Sequence, residues 1–505
     1  MEEVFKLAPE LKEQVKVIVT FNEVLSSFLK IFFFDSILTK EKSSSLSRWF
    51  SGNEEATILY TSGTTGQPKG VVSTHKAHLE NIRQVEENPL FASIKSVFHF
   101  LPQAHAFGMR MVHICLLAGA TSYFPKKNRV DKAGLFEDIR FTNPEVIPVV
   151  PKVLERIRQK VLSQLKKDGI KGFIVRLVIK HYEKEIKERE EKGTAQQKSK
   201  GFITRALESF LLGRIGLKIK NRIKENIVGR NFKFFISGGA ALQRPTLRFF
   251  WALDMPVLEG YGSTEANVVL TVNTPKEYRL GSVGKPISPD VKLKVDNNGE
   301  LLVKSPSLAS GYLNRPDATN KQWNKDGWYR TNDLAVVDEE GFLWIKGRLD
   351  DVLVTTTGEN IQSWTVEERL KRNKFISEAV VVGDGRPALI ALIVPDKEAL
   401  LEEIARIEKK RGQAVNLDLE KITKKVIYQA VKKFNEHPST RPYERIRGFI
   451  VIPPLKINQG LTPTLKVQRK KVIALHRRAI EALYEALENQ PAKEKVFSLA
   501  VKEAA

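Results

Sequence analysis

Ten consecutive residues, Thr61-Ser62-Gly63-Thr64-Thr65-Gly66-Gln67-Pro68-Lys69-Gly70, constrain this chain more than any others. They hold three glycines, four hydroxyl side chains and one lysine. Before them lies the apolar run Ala56-Thr57-Ile58-Leu59-Tyr60, which reads as a buried strand. After them Val71-Val72-Ser73-Thr74-His75-Lys76 leads towards a predicted helix. A loop of this composition can wrap backbone N–H groups and side-chain donors around a polyphosphate. Its spacing is not the G-x-x-x-x-G-K-[ST] of the ordinary NTPases. Pro68 stands where that pattern needs glycine, and Gly70 follows the lysine where it needs a hydroxyl. The stretch is a phosphate loop of another kind.

From Thr57 onward apolar strands alternate with helical stretches. The candidate strands are Val97–Leu101, Thr121–Phe124, Val146–Val150, Phe232–Ser237, Val257–Leu258 and Val268–Val272. Alternation at this spacing predicts an α/β fold with mostly parallel strands, whose carboxyl ends collect ligands. Residues 152–229 turn helical and basic, with an exposed loop predicted at Glu188–Gly201. After Pro275 short strands such as Lys292–Val295 and Leu301–Lys304, joined through Asn297-Asn298-Gly299, predict a small antiparallel β subdomain. A second change comes at Gly347-Arg348-Leu349-Asp350-Asp351. Beyond it, strands Glu378–Val382, Ala388–Val394 and Phe449–Ile452 and a helix from about Lys397 form a smaller α+β unit. The predicted domains are 1–349 and 350–505. Near the start, Val15–Phe21 reads as a strand, and the apolar stretch Phe28–Phe34 is too short to span a bilayer.

Charge bears on the choice of partner. The 505 residues carry 82 Lys+Arg against 59 Asp+Glu, a net +23. No nucleic-acid motif accompanies that excess, so nucleic acid is not expected as a partner. Peripheral attraction to an anionic membrane is compatible with it. The single cysteine, Cys115, excludes an internal disulfide and suits a reducing, cytoplasmic setting. The amino terminus lacks a basic segment before an apolar core, so it is not read as a signal peptide.

Several further residues could carry chemistry. Glu265, in Tyr261-Gly262-Ser263-Thr264-Glu265, follows a strand and should project into the ligand crevice. One carboxylate together with nucleotide phosphates suffices to hold Mg²⁺. Ser237-Gly238-Gly239-Ala240-Ala241 has little bulk beyond its backbone, which suits close approach to a flat base. Asp333, closing Asp326-Gly327-Trp328-Tyr329-Arg330-Thr331-Asn332-Asp333, can accept hydrogen bonds from two vicinal hydroxyls. Arg348 brings a permanent charge. Neither a His/Cys metal cluster nor a Ser-His-Asp order is present.

In these motifs and their order, from about Val15 to Tyr484, the chain resembles the adenylate-forming enzymes: acyl-CoA synthetases, luciferases and peptide-synthetase adenylation domains. The helical insertion beginning Val150-Pro151-Lys152 makes it most similar to the long-chain fatty acid–CoA ligases. The resemblance implies a two-step ligase that forms an acyl-adenylate from a fatty acid and ATP, with Mg²⁺, and then transfers the acyl group to CoA. It implies nucleotide contacts from Thr61, Ser62, Gly63, Thr64, Thr65, Gly66 and Lys69, with Thr64 taking part in catalysis. The same role falls to Gly238, Gly239, Ala240, Tyr261, Gly262, Thr264, Asp333 and Arg348, and Glu265 is the metal contact and a catalytic residue. Lys466, in Leu461-Thr462-Pro463-Thr464-Leu465-Lys466, becomes the catalytic lysine. His105 and Gly239 fall in the acid pocket, Gly358 on the thiol's approach, and Asp350 at a hinge. Two departures stand out. Asn332 replaces the family's glycine, and only residues 1–60 precede the phosphate loop, where relatives have a long α/β stretch. Transfer to a carrier-protein thiol, or a non-catalytic acyl or nucleotide binder, are the alternative expectations.

Overall fold

The computed structural model describes residues 17–20, 30–33, 51–62, 68–126, 134–192, 216–411, 419–457, 459–462, 467–488 and 497–500. Its largest sheet has seven strands, in the order Lys285–Pro286, Thr271–Val272, Val257–Tyr261, Phe234–Ser237, Val146–Val149, Ser96–Phe98, Thr121–Tyr123. The five from Val257–Tyr261 to Thr121–Tyr123 run parallel, and the first two are antiparallel additions. Val146–Val149 and Phe234–Ser237 are buried at every position, which is why both read as unbroken apolar runs. One face packs on Met111 and Ile114 of the helix Ala106–Leu117 and on Leu270. The other packs on Leu154, Ile157, Ile179, Leu247 and Phe250, contributed by the helices Pro151–Lys167, Gly169–Lys192 and Arg244–Ala252.

The expected α/β class holds, with element ends shifted by a few residues. Val268 leaves its predicted strand for a turn at φ 95°, and strand pairing starts at Thr271. The stretch after the phosphate loop differs more. Pro68–Thr74 is a strand paired antiparallel with Glu55–Ser62, and residues 63–67 between them lie outside the described residues. The helix begins only at His75, where Thr74 accepts the Ala77 N–H and caps it. The β-branched residues Val71, Val72 and Thr74 favour that strand, and its backbone is claimed on the far side by Gly311–Tyr312. Within the predicted loop Glu188–Gly201, residues up to Lys192 are helical and 193–201 lie outside the described residues. Val17–Thr20 pairs in parallel with Lys30–Phe33.

The predicted β subdomain is a four-stranded antiparallel sheet, Lys292–Val295, Glu300–Lys304, Tyr329–Val337 and Leu343–Arg348. Gly299, at φ 83°, supplies the left-handed residue of its first turn. After residue 350 a sheet of Ile376–Val382, Leu389–Pro395, Ile446–Val451 and Phe497–Ala500 is flanked by the helices Ser363–Leu370, Leu419–Asn435 and Arg477–Glu488. Its two buried clusters draw only on residues from Leu353 onward. The larger clusters before it stop at Leu343 and Ile345. Among the described residues, no helix is long and apolar enough to cross a membrane.

Candidate functional site

The strands on either side of the predicted phosphate loop pair Thr61 with Lys69 and Ser62 with Pro68. Gly63, Thr64, Thr65 and Gly66 lie outside the described residues. A Cβ on Gly70 would sit 3.0 Å from Ile58 and 3.3 Å from the Tyr60 ring, so any larger residue there must push those side chains aside. The segment 310–313 is stitched along the strand Pro68–Thr74 by Ser310 N–H to Val72 O (2.9 Å) and Leu313 N–H to Gly70 O (2.8 Å). That stitching brings Tyr312 to the site, a residue that sequence reasoning missed. Lys69 Nζ lies 4.8 Å over the Tyr312 ring, and the Tyr312 hydroxyl donates to Glu265 Oε1 at 3.0 Å. Burial, reinforced by the Glu265 charge, pushes the Tyr312 phenol far up, so it remains a donor at any ordinary pH. The only hint in the sequence was a tyrosine after Gly311, and its partner is 47 residues away.

Two glycine-rich turns leave the ends of neighbouring parallel strands. Ser237 faces Glu259 across them. Gly238 follows Ser237, and a Cβ there would lie 3.6 Å from Phe107. Gly239, at φ 85°, and Ala240 are exposed in the next turn. At Gly262 a Cβ would lie 1.2 Å from Val268 O, a position no side chain can enter. The chain folds back there through Asn267 and Val268, and Val268 N–H donates to Ser263 O at 2.9 Å. Thr264 and Glu265, both half-buried, lie within that turn. Ala309 N–H binds Glu265 O at 2.8 Å.

Tyr261, Asp333 and Arg348, picked out separately in the sequence, come together. The Tyr261 hydroxyl donates to Asp333 Oδ2 at 2.6 Å, and Arg348 Nη1 reaches Asp333 Oδ1 at 3.2 Å. Asp333 and Arg348 are direct register partners on adjacent strands, which places their side chains on one face. Burial, then the Asp333 charge, pushes the Tyr261 phenol well above its ordinary value. Arg348 would be lowered by burial, but Asp333, Asp350 and Asp351 outweigh that and raise it. Asn332 has φ 59°, in the left-handed region that asparagine tolerates better than most residues, and its N–H donates to Glu300 Oε1 at 3.0 Å.

Glu259 was not anticipated. It is 5% exposed, and Oε1 accepts from Leu242 N–H at 3.1 Å, tying the glycine turn to the Tyr261 strand. Burial pushes this carboxyl up to about 7. His105 caps the helix Ala106–Leu117, its Nδ1 accepting from Phe107 N–H at 3.3 Å. Gly358, at φ 81°, sits on an exposed turn with open space where a Cβ would stand. Lys466 lies outside the described residues, one position before Val467.

The junction at 350 is tied to both sides. Arg348 Nη2 lies 4.0 Å from Asp350, while Arg469 Nε lies 3.3 Å from Asp351, whose carbonyl accepts from Ser363 Oγ at 2.7 Å. Farther out, Lys152 pairs with Glu378 across the two halves. Among the described residues no group of three or more His, Cys, Asp or Glu could hold a metal. A single carboxylate, Glu265, with Lys69 and backbone turns beside it, does not fit a protein-caged metal. It does fit Mg²⁺ held mainly by phosphate oxygens and water.

The AMP-binding enzyme family model matches residues 4–313, and the AMP-binding enzyme C-terminal domain model matches residues 350–488. Long-chain-fatty-acid--CoA ligase FadD15 of Mycobacterium tuberculosis is 32% identical over 442 residues, 85% of this chain and 69% of that protein. Long-chain-fatty-acid--CoA ligase 5 of Rattus norvegicus is 30% identical over 85% of this chain and 62% of its own length. The chloroplastic long-chain-fatty-acid--[acyl-carrier-protein] ligase AEE15 of Arabidopsis thaliana is 27% identical over 86% of this chain and 62% of its own. Among solved structures, the adenylation domain of a carboxylate reductase from Mycobacterium chelonae superposes with a TM-score of 0.67 at 23% identity, over 91% of this chain and 64% of that one. The o-succinylbenzoate coenzyme A synthetase of Bacillus subtilis in complex with ATP and magnesium ion gives 0.64 at 18% identity, over 92% and 81%.

Proposed function

Because the chain belongs to the AMP-binding enzyme family, we propose that it is an AMP-forming acid–thiol ligase acting on a long-chain fatty acid, ATP and CoA. The observation that carries this reading is that two clusters meet the turn Tyr261–Glu265, which leaves the carboxyl end of the parallel-sheet strand Val257–Tyr261. Lys69, Tyr312 and Glu265 form one, and Tyr261, Asp333 and Arg348 the other. In this reading Asp333 accepts from the ribose hydroxyls, Arg348 adds charge beside them, and the base lies against Tyr261 over the Gly238-Gly239-Ala240 turn. The loop from Thr61 to Lys69, Thr64 included, takes the phosphates.

In the first half-reaction a carboxylate oxygen of the acid attacks the α-phosphorus. The bond from that phosphorus to the bridging oxygen breaks, and pyrophosphate leaves. Negative charge accumulates on oxygens that already repel one another, so the site must supply cations. Lys69 and Lys466 are assigned to that, and Glu265 to holding Mg²⁺. When bound, Mg²⁺ neutralises phosphate charge. In the second half-reaction the CoA thiol attacks the acyl carbonyl, loses its proton, and AMP leaves. Asp350 acts as the hinge that swings Lys466 away and brings Gly358 to the thiol's path, so that 1–349 and 350–505 move as separate units. Gly239 and His105 border the acid pocket in this scheme, His105 through the helix it caps. A cytoplasmic enzyme with peripheral membrane contact is the matching setting for an apolar substrate.

Acid-dependent ATP–pyrophosphate exchange across acids of increasing chain length tests the reading. Exchange should rise towards long chains and vanish in Glu265→Ala, and CoA should accelerate AMP release. Flat exchange with every acid would overturn it. Exchange with AMP release accelerated by an acyl carrier protein, and not by CoA, would favour the acceptor named for the Arabidopsis thaliana relative.

A further inference from the structure

Arg110 is wholly buried on the helix Ala106–Leu117. Among the described residues it has no carboxylate partner. A buried guanidinium without a counter-ion is costly, and folds seldom retain one unless its hydrogen bonds hold something in place. Its three contacts are specific. Nε donates to Asn267 O at 3.3 Å, Nη1 donates to His78 O at 3.3 Å, and Nη2 donates to His78 Nδ1. Burial lowers the guanidinium only to about 10, so it stays charged at neutral pH.

Both ends of this contact set reach the nucleotide site. Arginine can only donate, so His78 Nδ1 must accept and its proton sits on Nε2. Nε2 then donates to Thr57 Oγ1 at 2.7 Å, and Thr57 lies on the strand that feeds the phosphate loop. Burial and then Arg110 lower the His78 pKa to about 4, which keeps that neutral tautomer. At the other end, Asn267 and Val268 are successive non-glycine residues at φ 54° and φ 95°, a strained pair two and three positions after Glu265. Asn81 Nδ2, three residues after His78 on the same helix face, takes the next carbonyl but one, Val269 O, at 2.9 Å. Asn267 Nδ2 in turn donates to Ser307 O at 2.8 Å, beside the segment that grips Glu265 through Ala309 and Tyr312.

We propose that Arg110 is a positioning residue for Glu265. It is a buried cation that holds the strained Asn267–Val268 turn and, through His78 and Thr57, fixes that turn relative to the phosphate-loop hairpin. The inference rests on the reading of Glu265 as the Mg²⁺ contact. It adds that the carboxylate's placement depends on a group that touches neither nucleotide nor metal. Arg110→Met, similar in length and uncharged, releases the turn while leaving the ribose cluster of Tyr261, Asp333 and Arg348 alone. The effect should therefore fall on metal-dependent binding.

The test measures ATP affinity by calorimetry in Mg²⁺ and in EDTA, and bound Mn²⁺ by electron paramagnetic resonance. Arg110→Met should cut the gain in affinity that Mg²⁺ confers by tenfold or more, with a matching loss of nucleotide-dependent Mn²⁺ binding. Affinity in EDTA should stay within twofold of wild type. In a Glu265→Ala background the same substitution should cost no further metal dependence. If Arg110→Met does not fold, Arg110→Lys serves, since a lysine keeps the charge but cannot span Asn267 and His78 together, and the same split is expected. Equal losses in Mg²⁺ and EDTA, or additive effects with Glu265→Ala, overturn the proposal. Absence of any metal-dependent binding in wild type, or its survival in Glu265→Ala, sinks the functional reading itself.

Discussion

Replacing Asp333 by asparagine separates a nucleotide-binding role from a purely internal one. The carboxylate is 15% exposed and accepts from Tyr261 at 2.6 Å and from Arg348 at 3.2 Å. The first contact falls in the range of charge-assisted O–H···O⁻ bonds. The second involves a guanidinium that is 41% exposed, and is worth under about 1 kcal/mol after solvent screening. Asparagine keeps one carbonyl oxygen for Tyr261, so the fold should lose no more than about 1.5 kcal/mol. A bound ribose loses far more, because each hydroxyl donating to a charged acceptor is worth roughly 1.5–3 kcal/mol. That amounts to a fall of roughly 10- to 100-fold in ATP affinity. Calorimetric titration with ATP, 2′-deoxy-ATP and 3′-deoxy-ATP isolates the cause. Wild type should prefer ATP, and Asp333→Asn should bring the three within about threefold, because the acceptor that distinguished them is gone. A variant that folds normally and keeps the wild-type preference would refute the assignment of Asp333 to the ribose.

Lys466→Ala should abolish acyl-adenylate formation from acid and ATP yet leave CoA transfer from supplied acyl-adenylate nearly intact, as read by separate half-reaction assays. Asn332→Gly should change ATP affinity less than about threefold, since Asn332 already holds the left-handed backbone; a gain of orders of magnitude would contradict this. The Glu259 carboxyl, at about 7 when folded, lies above its ordinary 4.5, so its contribution to stability is full below 4.5 and lost as pH rises through 7. Glu259→Gln, which does not titrate, should therefore be more stable than wild type at pH 8 by up to about 3 kcal/mol and little different at pH 5, by urea unfolding at each pH. Lys152→Glu sets like charges against Glu378 and should weaken docking of the two halves by about 1–3 kcal/mol, seen as a larger scattering radius that Glu378→Lys restores.

What could be read from the sequence follows from how local its causes are. Lys292–Val295 and Glu300–Lys304 were foreseen because an Asn-Gly turn between alternating residues specifies a hairpin by itself. The parallel strands were foreseen because both of their faces are buried. Tyr261, Asp333 and Arg348 were each found within a motif, but their meeting was not, since it depends on the register of Asp333 with Arg348. The strand Pro68–Thr74 was overlooked because a glycine- and proline-rich loop masks a short β-branched run whose partners lie on either side in space. Arg110, His78 and Glu259 gave no signal at all. A buried polar residue on a helix or strand looks like any other polar residue until the groups it satisfies, up to 157 positions away for Arg110, are known.

The adjacency of Val146–Val149 and Phe234–Ser237 also bears on how the chain is made. These two strands pair directly, yet the whole helical insertion is synthesised between them. A nascent chain must therefore hold Val146-Ile147-Pro148-Val149 with one edge open until Phe234 emerges. The helices Pro151–Lys167 and Gly169–Lys192 pack on each other as neighbours in sequence, so that pair can form first and meet Arg244–Ala252 later. Leu154, Ile157 and Ile179 then cover Ile147 and Val149 from one face before the partner strand exists. The insertion thus covers one face of a strand whose pairing edge is completed only by Phe234–Ser237. Trimming it to a short linker would bring the two strands together sooner but strip the apolar cover from Ile147 and Val149, leaving a face open to aggregation.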